Sequence, residues 1–407
     1  CKQGRAMTRL WLDIIGIGEE GVAGLMPASR AVLEAAEVVI GGDRHHALTP
    51  DVTAERIAWP SPFDALIDRL RALRGRRVVV LATGDPLWYS VGARIGRAMD
   101  PAEITFHPQL SAFQHAAARM GWSMADSEQL TVHGRAIEQM IPFIAPEARL
   151  LILTTGSETP AQIADILADR GYGASKLTVL AAMGGADEAR FDGTAEGWGH
   201  AVPAFNTLAV HCIASAGAAV LPRVGLPDDC FVSDGTMTKR EVRAATLAKL
   251  MPMRGTLLWD VGCGCGSVAV EWMRGARDAS AIGIEPRADR RALAARNDMA
   301  LGAPKLELRE GNVPEALADL PAPDAVFIGG GLSAEAVELC HTALKPNGRL
   351  VANAVTIESE MLLVKLQETY GGKLVKIAVS RASRLGAGGG PSGWRPAMAV
   401  TQWSLIK

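Results

Sequence analysis

Residues 257–267 read LLWDVGCGCGS, an apolar run that opens into three alternating glycines and then into a helical pattern. Glycine is required where a backbone turns tightly and admits a ligand, and the helix start that follows offers unpaired N–H groups. The spacing is Gly262-Cys263-Gly264-Cys265-Gly266, and Ser267 stands where a G-x-G-x-x-G dinucleotide fingerprint would need a third glycine. That difference favours S-adenosylmethionine over NAD as the ligand. Glu285 closes the next expected strand, 23 residues beyond Gly262, where a carboxylate can accept hydrogen bonds from both ribose hydroxyls. A bare strand-to-helix turn with Glu285 as a solvated strand end is the competing reading. It does not explain why strand, loop, helix and acid arrive in the order a nucleotide site requires.

Around this loop the chain alternates strand and helix signals. Strands are expected at 256–261, 281–285, 305–309, 325–328, 349–355, 373–379 and 397–405, with helices at 267–274, 287–301, 334–344 and 358–370. The first half gives β runs at 10–16, 38–41, 77–82, 103–106, 149–154, 176–181 and 207–213, with helical stretches such as 111–120 and 160–170 between them. Strand runs separated by helices imply parallel α/β sheets in both halves. Residues 214–231, rich in Gly and Pro and without a sustained period, are the expected linker. The expected domains are therefore 7–213 and 232–407. Their glycine motifs differ and no fixed-period repeat is visible, so they are not copies.

A length of 407 residues accommodates roughly two to three domains. With 42 Lys+Arg against 44 Asp+Glu, the charge balance argues against a large basic nucleic-acid footprint. Apolar runs such as 78–82 and 150–153 fall far short of the roughly 20 residues a membrane span needs. The start has positive charge but no apolar stretch leading to a cleavage site, so no secretory signal is expected; residues 1–6 read as an extension before Met7. Cysteines at 1, 212, 230, 263, 265 and 340 form neither a CxxC knuckle nor a disulfide framework, which suits free thiols in a reducing cytoplasm. Cys263 and Cys265 lack a partner pair and read as small-residue filling of the loop, so no metal is assigned.

Three further patterns in the second half bear on ligands. Thr238-x-x-Glu241 is a capping box, so a helix should start there. Lys239, Arg240 and Arg243 put three cations near that start, where the helix dipole disfavours them; a bound anion would resolve the conflict, and a solvated basic face is the alternative. Asn312 and Val313 follow the third strand at a position suited to an adenine, or form an ordinary Asn turn.

In the first half, Gly16-Ile17-Gly18 ends the first strand, and Thr83-Gly84-Asp85-Pro86 follows a later one. With Pro108-x-x-Ser111-Ala112, these motifs resemble the tetrapyrrole methylases, the class III S-adenosylmethionine-dependent methyltransferases. Gly41-Gly42-Asp43-Arg44-His45 and Val132-His133-Gly134-Arg135 narrow the resemblance to the branch that acts on precorrin-6 in corrin biosynthesis. The second half resembles the Rossmann-like class I methyltransferase that partners this branch. The residues concerned are Thr238-Lys239-Arg240-Glu241-Val242-Arg243, Trp259-Asp260-Val261-Gly262, Ile328-Gly329-Gly330-Gly331 and Val351-Ala352-Asn353-Ala354-Val355. From Trp11 to Ser404 the chain is similar to the bifunctional, decarboxylating precorrin-6 methyltransferases, specific for carbons 5 and 15.

The resemblance implies that Gly16, Ile17, Gly18, Gly84, Asp85, Pro86, Ser111 and Ala112 approach S-adenosylmethionine in the first domain. In the second it implies Thr238, Gly262, Cys263, Gly264, Cys265, Gly266, Glu285, Asn312 and Val313. Two departures stand out: Gly18-Glu19-Glu20-Gly21 replaces the G-P-G-D continuation common in the first family, and Cys265 replaces a more usual Ser or Thr. The implied substrate carries several carboxylates, for which Arg44, His45, Lys239, Arg240 and Arg243 are the candidate partners. His45 and His46 could equally form a surface turn. Arg381 and Arg384, ahead of the glycines at 386–390, could sit on a lid or on a loose surface loop. Trp88, Trp122 and Trp394 could cover a macrocycle face or pack in the core. No catalytic side chain is identified, and none is required when the cofactor carries the activated group. The family implies a homo-oligomer and, by fusion, the cobalt-free route. Two other readings of the same motifs are a dinucleotide-dependent oxidoreductase and a non-catalytic tetrapyrrole-binding protein.

Overall fold

The computed structural model describes residues 10–384 and 391–407. Met7, the extension 1–6 and the glycines at 386–390 lie outside the described residues. Contacts divide the chain into two units, one running through Arg135 and then Ile144–Ala219, the other Ala136–Phe143 with Val220–Lys407.

In the first unit β1 (Leu12–Ile17), β2 (Val38–Gly41), β3 (Glu55–Ala58), β4 (Val78–Thr83) and β5 (Ile104–His107) form a parallel sheet in the order β3-β2-β4-β1-β5. Both faces are buried. Leu12, Ile14, Val78 and Val80 enter one apolar cluster, and Ile15, Ile17, Val79 and Leu81 enter another. That is why these strands read as continuous apolar runs. A second sheet contains β6 (Glu128–Thr131), β7 (Arg149–Leu153), β8 (Lys176–Ala181), β9 (Ala189–Thr194) and β10 (Asn206–His211), in the order β6-β7-β10-β8-β9.

The expectation of parallel sheets holds for the first sheet and not for this one. Only the β6–β7 pair is parallel, whereas β7–β10, β10–β8 and β8–β9 are antiparallel. The strands β3, β6 and β9, which the sequence pattern did not reveal, are all sheet edges. Edge strands need no two-sided apolar run, and β9 alternates half-buried and exposed residues along its whole length.

The second unit is built on β11 (Leu257–Val261), β12 (Ser280–Ile284), β13 (Leu306–Arg309), β14 (Ala325–Ile328), β15 (Arg349–Ala354), β16 (Lys373–Ile377) and, after a hairpin of β17 (Ser380–Arg384) with β18 (Ser392–Pro396), β19 (Val400–Ile406). The seven-stranded order is β13-β12-β11-β14-β15-β19-β16, parallel except where β19 pairs with β15 and β16. Leu258, Val268, Trp272 and Phe327 pack on one face and Trp259, Val261, Ile284 and Trp403 on the other.

Residues from the expected linker contribute to this core. Leu226 and Phe231 are buried beside Leu247 and Trp272, and the N–H groups of Gly225 and Leu226 donate to the carboxylate of Glu271. The same carboxylate receives Arg243 Nε at 2.6 Å. Arg243 also donates to Asp228 at 3.1 Å and to the carbonyls of Thr238 and Leu226, each at 2.6 Å, with its guanidinium over the Phe231 ring. Arg243 is thus an internal tie between the 226–238 segment and the helix Ser267–Gly275, not a group that meets a substrate. The unfavourable dipole position of Arg243 noted in the sequence is offset by Glu271 and Asp228. The capping box is also absent: the helix Arg240–Leu250 begins after Lys239 without a side-chain cap, because Glu241 instead pairs with Arg381 of the hairpin.

Glu271→Ala removes the buried carboxylate from the Arg243 guanidinium and the acceptor from the Gly225 and Leu226 N–H groups, and should destabilise the second unit by about 3–5 kcal/mol, measured by urea unfolding. A loss below about 1 kcal/mol, the scale of a surface ion pair, would contradict this role.

Candidate functional sites at the strand ends

In the second unit, β11 delivers the glycine loop to the carboxyl edge of the sheet, beside β12 on one side and β14 on the other. This is where the strand order reverses and where α/β folds bind ligands. A cavity of about 460 Å³ opens there. Thr238, Gly262, Cys263, Gly264, Cys265, Glu285, Asn312 and Val313 all line it, so residues spread over 75 positions are brought to one place.

Backbone geometry explains two of the glycines. Gly262 has φ +71°, and a Cβ there would lie 2.6 Å from Gly330 Cα, so the loops after β11 and β14 touch because Gly262 carries no side chain. Gly264 has φ +56° and nothing within 4 Å of its Cβ direction. Its open side faces the cavity it lines. Gly266 does not line the cavity; it caps the helix Ser267–Gly275 in a left-handed conformation.

Glu285 is buried and held at both oxygens. Oε2 accepts the Gly264 N–H at 3.0 Å and Oε1 accepts the Arg287 N–H at 3.1 Å. Each oxygen keeps a further lone pair for a ligand hydroxyl.

Several lining residues were not singled out from the sequence. Asp260 is fully buried. Its Oδ2 accepts the Ala269 N–H at 3.0 Å and its Oδ1 has no partner. Burial pushes its carboxyl up to about 7 against that hydrogen bond, and the charge of Glu285 acts in the same direction as burial. An acid at the second-last position of a strand that opens into glycines was the available signal. Asp234 and Thr236 also line the cavity, and Arg290 ties both down, with 2.8 Å to each. Nothing local in the sequence links Arg290 to Asp234, 56 residues away.

Lys239 and Arg240 are not among the cavity-lining residues. Lys239 Nζ donates to the Gly235 carbonyl at 3.3 Å and Arg240 is exposed. Among the described residues no group of three His, Cys, Asp or Glu side chains is arranged to hold a metal.

In the first unit three loops converge. A Cβ on Gly16 would lie 2.1 Å from the Gly84 carbonyl oxygen, and one on Gly84 would lie 3.1 Å from Ser111 Cα. The Gly84 N–H donates to the Ile17 carbonyl at 3.0 Å. Ser111 and Gln114 form a capping box at the helix Ala112–Met120, with the Ser111 N–H donating to Gln114 at 2.6 Å. Ile17 points into the apolar core, so only its backbone is available to a ligand. Asp85 is used locally, accepting the Leu87 N–H at 2.7 Å. In place of the G-P-G-D continuation, Glu19 pairs with Arg44 at 2.8 Å and Glu20 lies 3.8 Å from His115.

The candidate substrate cations differ from expectation. His45 is buried, its Nδ1 accepting the Gly42 N–H at 3.1 Å while Nε2 lies 2.9 Å from Thr83 Oγ1. Burial, then the neighbouring charges of Arg44 and His46, push it down to about 4. It is a neutral structural group at neutral pH, not a cation for carboxylates. Arg44 is half-buried over the Phe205 ring, with one terminal nitrogen on Glu19 and the other without a partner.

Asp260 supplies a pH test. The folded protein keeps its proton from about pH 4, where an unfolded aspartate ionises, up to about pH 7. Stability contributed by this group therefore falls as pH rises through that window. Asp260→Asn should flatten the fall, read from thermal unfolding at a series of pH values. An unchanged slope would mean that Asp260 ionises as it does in water.

Two family models match the chain: tetrapyrrole (corrin/porphyrin) methylases over residues 12–197, and the precorrin methyltransferase domain over residues 229–407. A Sinorhizobium protein, precorrin-6Y C(5,15)-methyltransferase [decarboxylating], is 44% identical over 412 residues, covering 99% of this chain and 98% of that one. A Mycobacterium tuberculosis protein of the same name is 36% identical over 400 residues, covering 97% and 99%. The solved C-terminal domain of precorrin-6Y C5,15-methyltransferase from Rhodobacter capsulatus is 45% identical, covering 46% of this chain and all of that one, with a TM-score of 0.43. With both domain models in place and a full-length relative at this identity, the chain belongs to the family of decarboxylating precorrin-6Y C(5,15)-methyltransferases.

Proposed function

We propose that the chain transfers methyl groups from S-adenosylmethionine to carbons 5 and 15 of a precorrin-6 tetrapyrrole and removes the ring C acetate carboxyl as carbon dioxide. The first domain methylates carbon 5; the second methylates carbon 15 and decarboxylates. The reading assigns the enzyme to the cytoplasm, as a homo-oligomer. Among the described residues no helix is long and apolar enough to cross a membrane.

The observation that carries the reading is the cavity at the carboxyl edge of β11, where open space at Gly264, the fixed carboxylate of Glu285 and the unpartnered Asp260 Oδ1 converge. Those features fit a ribose-bearing ligand with further donor groups. The cofactor supplies an activated methyl on a sulfonium, and the residues have only to orient it, align the acceptor carbon and exclude water. Glu285 holds hydroxyls, and the residues 234–238 pinned by Arg290 line the same cavity. In the first domain, Gly16 and Gly84 let the loops after β1 and β4 and the Ser111 segment pack backbone to backbone at one edge. Loss of carbon dioxide leaves an electron pair that the conjugated macrocycle takes up, and a proton then completes the new methyl group.

Incubation with precorrin-6Y and labelled cofactor, followed by mass measurement, should give two methyl gains and one carbon dioxide loss. Binding of NAD(P)H without S-adenosylhomocysteine would favour the oxidoreductase reading, and pigment binding without methyl transfer would favour the carrier. Gly264→Arg fills the second cavity and should cut methylation at carbon 15 by about a hundredfold or more while carbon 5 is still methylated. Gly84→Arg should do the reverse. Either variant adding both methyl groups at the normal rate would refute the assignment of one methylation to each domain.

A further inference from the structure

The loop between β4 and the helix Val91–Ala98 carries an exposed apolar cluster that the cofactor-binding residues do not account for. Leu87 is 53% exposed, Trp88 43% and Tyr89 44%, and Leu110, immediately before Ser111, is 52% exposed. The first three directly follow Gly84-Asp85-Pro86. The loop that carries Leu110 packs on Gly84, with the Leu110 carbonyl 3.3 Å from the Cβ position of that glycine. The cluster therefore flanks two of the three converging loops of the first unit.

The chain is held so as to present these residues. Asp85 accepts the Leu87 N–H and the Trp88 N–H donates to the Asp85 carbonyl at 3.3 Å, which closes a turn. Tyr89 follows at φ +52°, a left-handed conformation unfavourable for an aromatic residue. Its hydroxyl donates to the Gln129 carbonyl at 3.3 Å. Trp88 and Tyr89 each rest against Phe113 with ring centroids 6.0 Å apart. Both rings are thus supported from within the domain while much of their surface stays in solvent, at a cost that burial in the core would have avoided.

Charge completes the pattern. The Arg135 guanidinium lies 5.5 Å from the centroid of the Tyr89 ring. It is exposed and has no carboxylate partner among the described residues. An apolar, partly aromatic surface with a free cation at its rim complements a flat conjugated ring bearing peripheral carboxylates. A methyl acceptor must also lie in line with the donor, beside the same loops.

We propose that Leu87, Trp88 and Leu110 form the platform on which one face of the tetrapyrrole rests during methylation in the first domain, with Arg135 pairing with a peripheral carboxylate. This rests on the proposed activity. These are positioning residues: they set where the ring lies and take no part in bond changes.

The test uses the full chain with precorrin-6Y. Trp88→Ala should raise KM for methylation of carbon 5 by about tenfold with a much smaller change in kcat. Affinity for S-adenosylhomocysteine, by calorimetry, and methylation at carbon 15 should be unchanged. Trp88→Phe, which keeps a flat ring, should recover most of the loss. Leu87→Asp with Leu110→Asp, which changes the platform without touching the tryptophan, should raise the same KM. Wild-type KM in both Trp88→Ala and the double aspartate variant would overturn the platform and leave the proposed activity standing. So would conversion of an oligomer to a smaller species with KM unchanged, which would assign the cluster to a second copy of the chain. Failure of the wild-type chain to methylate precorrin-6Y would overturn the proposed activity, and the platform with it.

Discussion

Both halves of this protein depend on one steric condition, that loops from neighbouring strands meet backbone to backbone. In the second unit the meeting is Gly262 against Gly330, and in the first it is Gly16 against the Gly84 carbonyl. A β-carbon at Gly262 or Gly16 would lie within 2.6 Å or 2.1 Å of the facing atom. Without that close approach, the carboxyl ends of β11 and β14, or of β1 and β4, would be held apart by side chains. The two folds share no glycine spacing, yet each solves the same problem, bringing the backbones of neighbouring loops together while the strands below stay packed in apolar layers.

Charge is divided between holding the fold and serving the site. A near-neutral chain with 42 cations and 44 anions could have gathered its cations for an anionic substrate. Instead Arg243 is consumed by Glu271 and Asp228, and Arg290 by Asp234. The Arg243–Glu271 pair is fully buried, and pairs of that kind are costly to break yet often contribute little net stability compared with apolar packing. Their use here is to join segments far apart in sequence. Arg243 holds both ends of the 226–238 segment, at the Leu226 and Thr238 carbonyls, and Arg290 holds Asp234 and Thr236 within it; its last residues line the cavity.

Local signals in the sequence located the parts that rest on short-range physics. The glycine loop of 262–266 and Glu285 could be read because strand, turn and helix follow within about one βαβ unit and each leaves its own periodicity. The apolar strands β2, β8 and β14 were legible to the residue, being buried on the faces that make an apolar run. The edge strands β3, β6 and β9 were not, because exposure on one side removes that run. Asp260 looked like an ordinary polar residue in a strand until the fold removed its water and left one oxygen without a partner.

The sequence by itself determined the class of each domain, the strand-end glycines and the acid that lines the second cavity, since these follow from backbone sterics and hydrogen bonding over a few tens of residues. Only the tertiary structure decided what each charge does. A guanidinium or an imidazole reads alike in sequence whether it meets a ligand or a carboxylate 28 residues away, as Arg243 meets Glu271. Burial then sets its role: desolvation makes an unpaired cation costly, so His45 stays neutral and Arg243 takes internal partners.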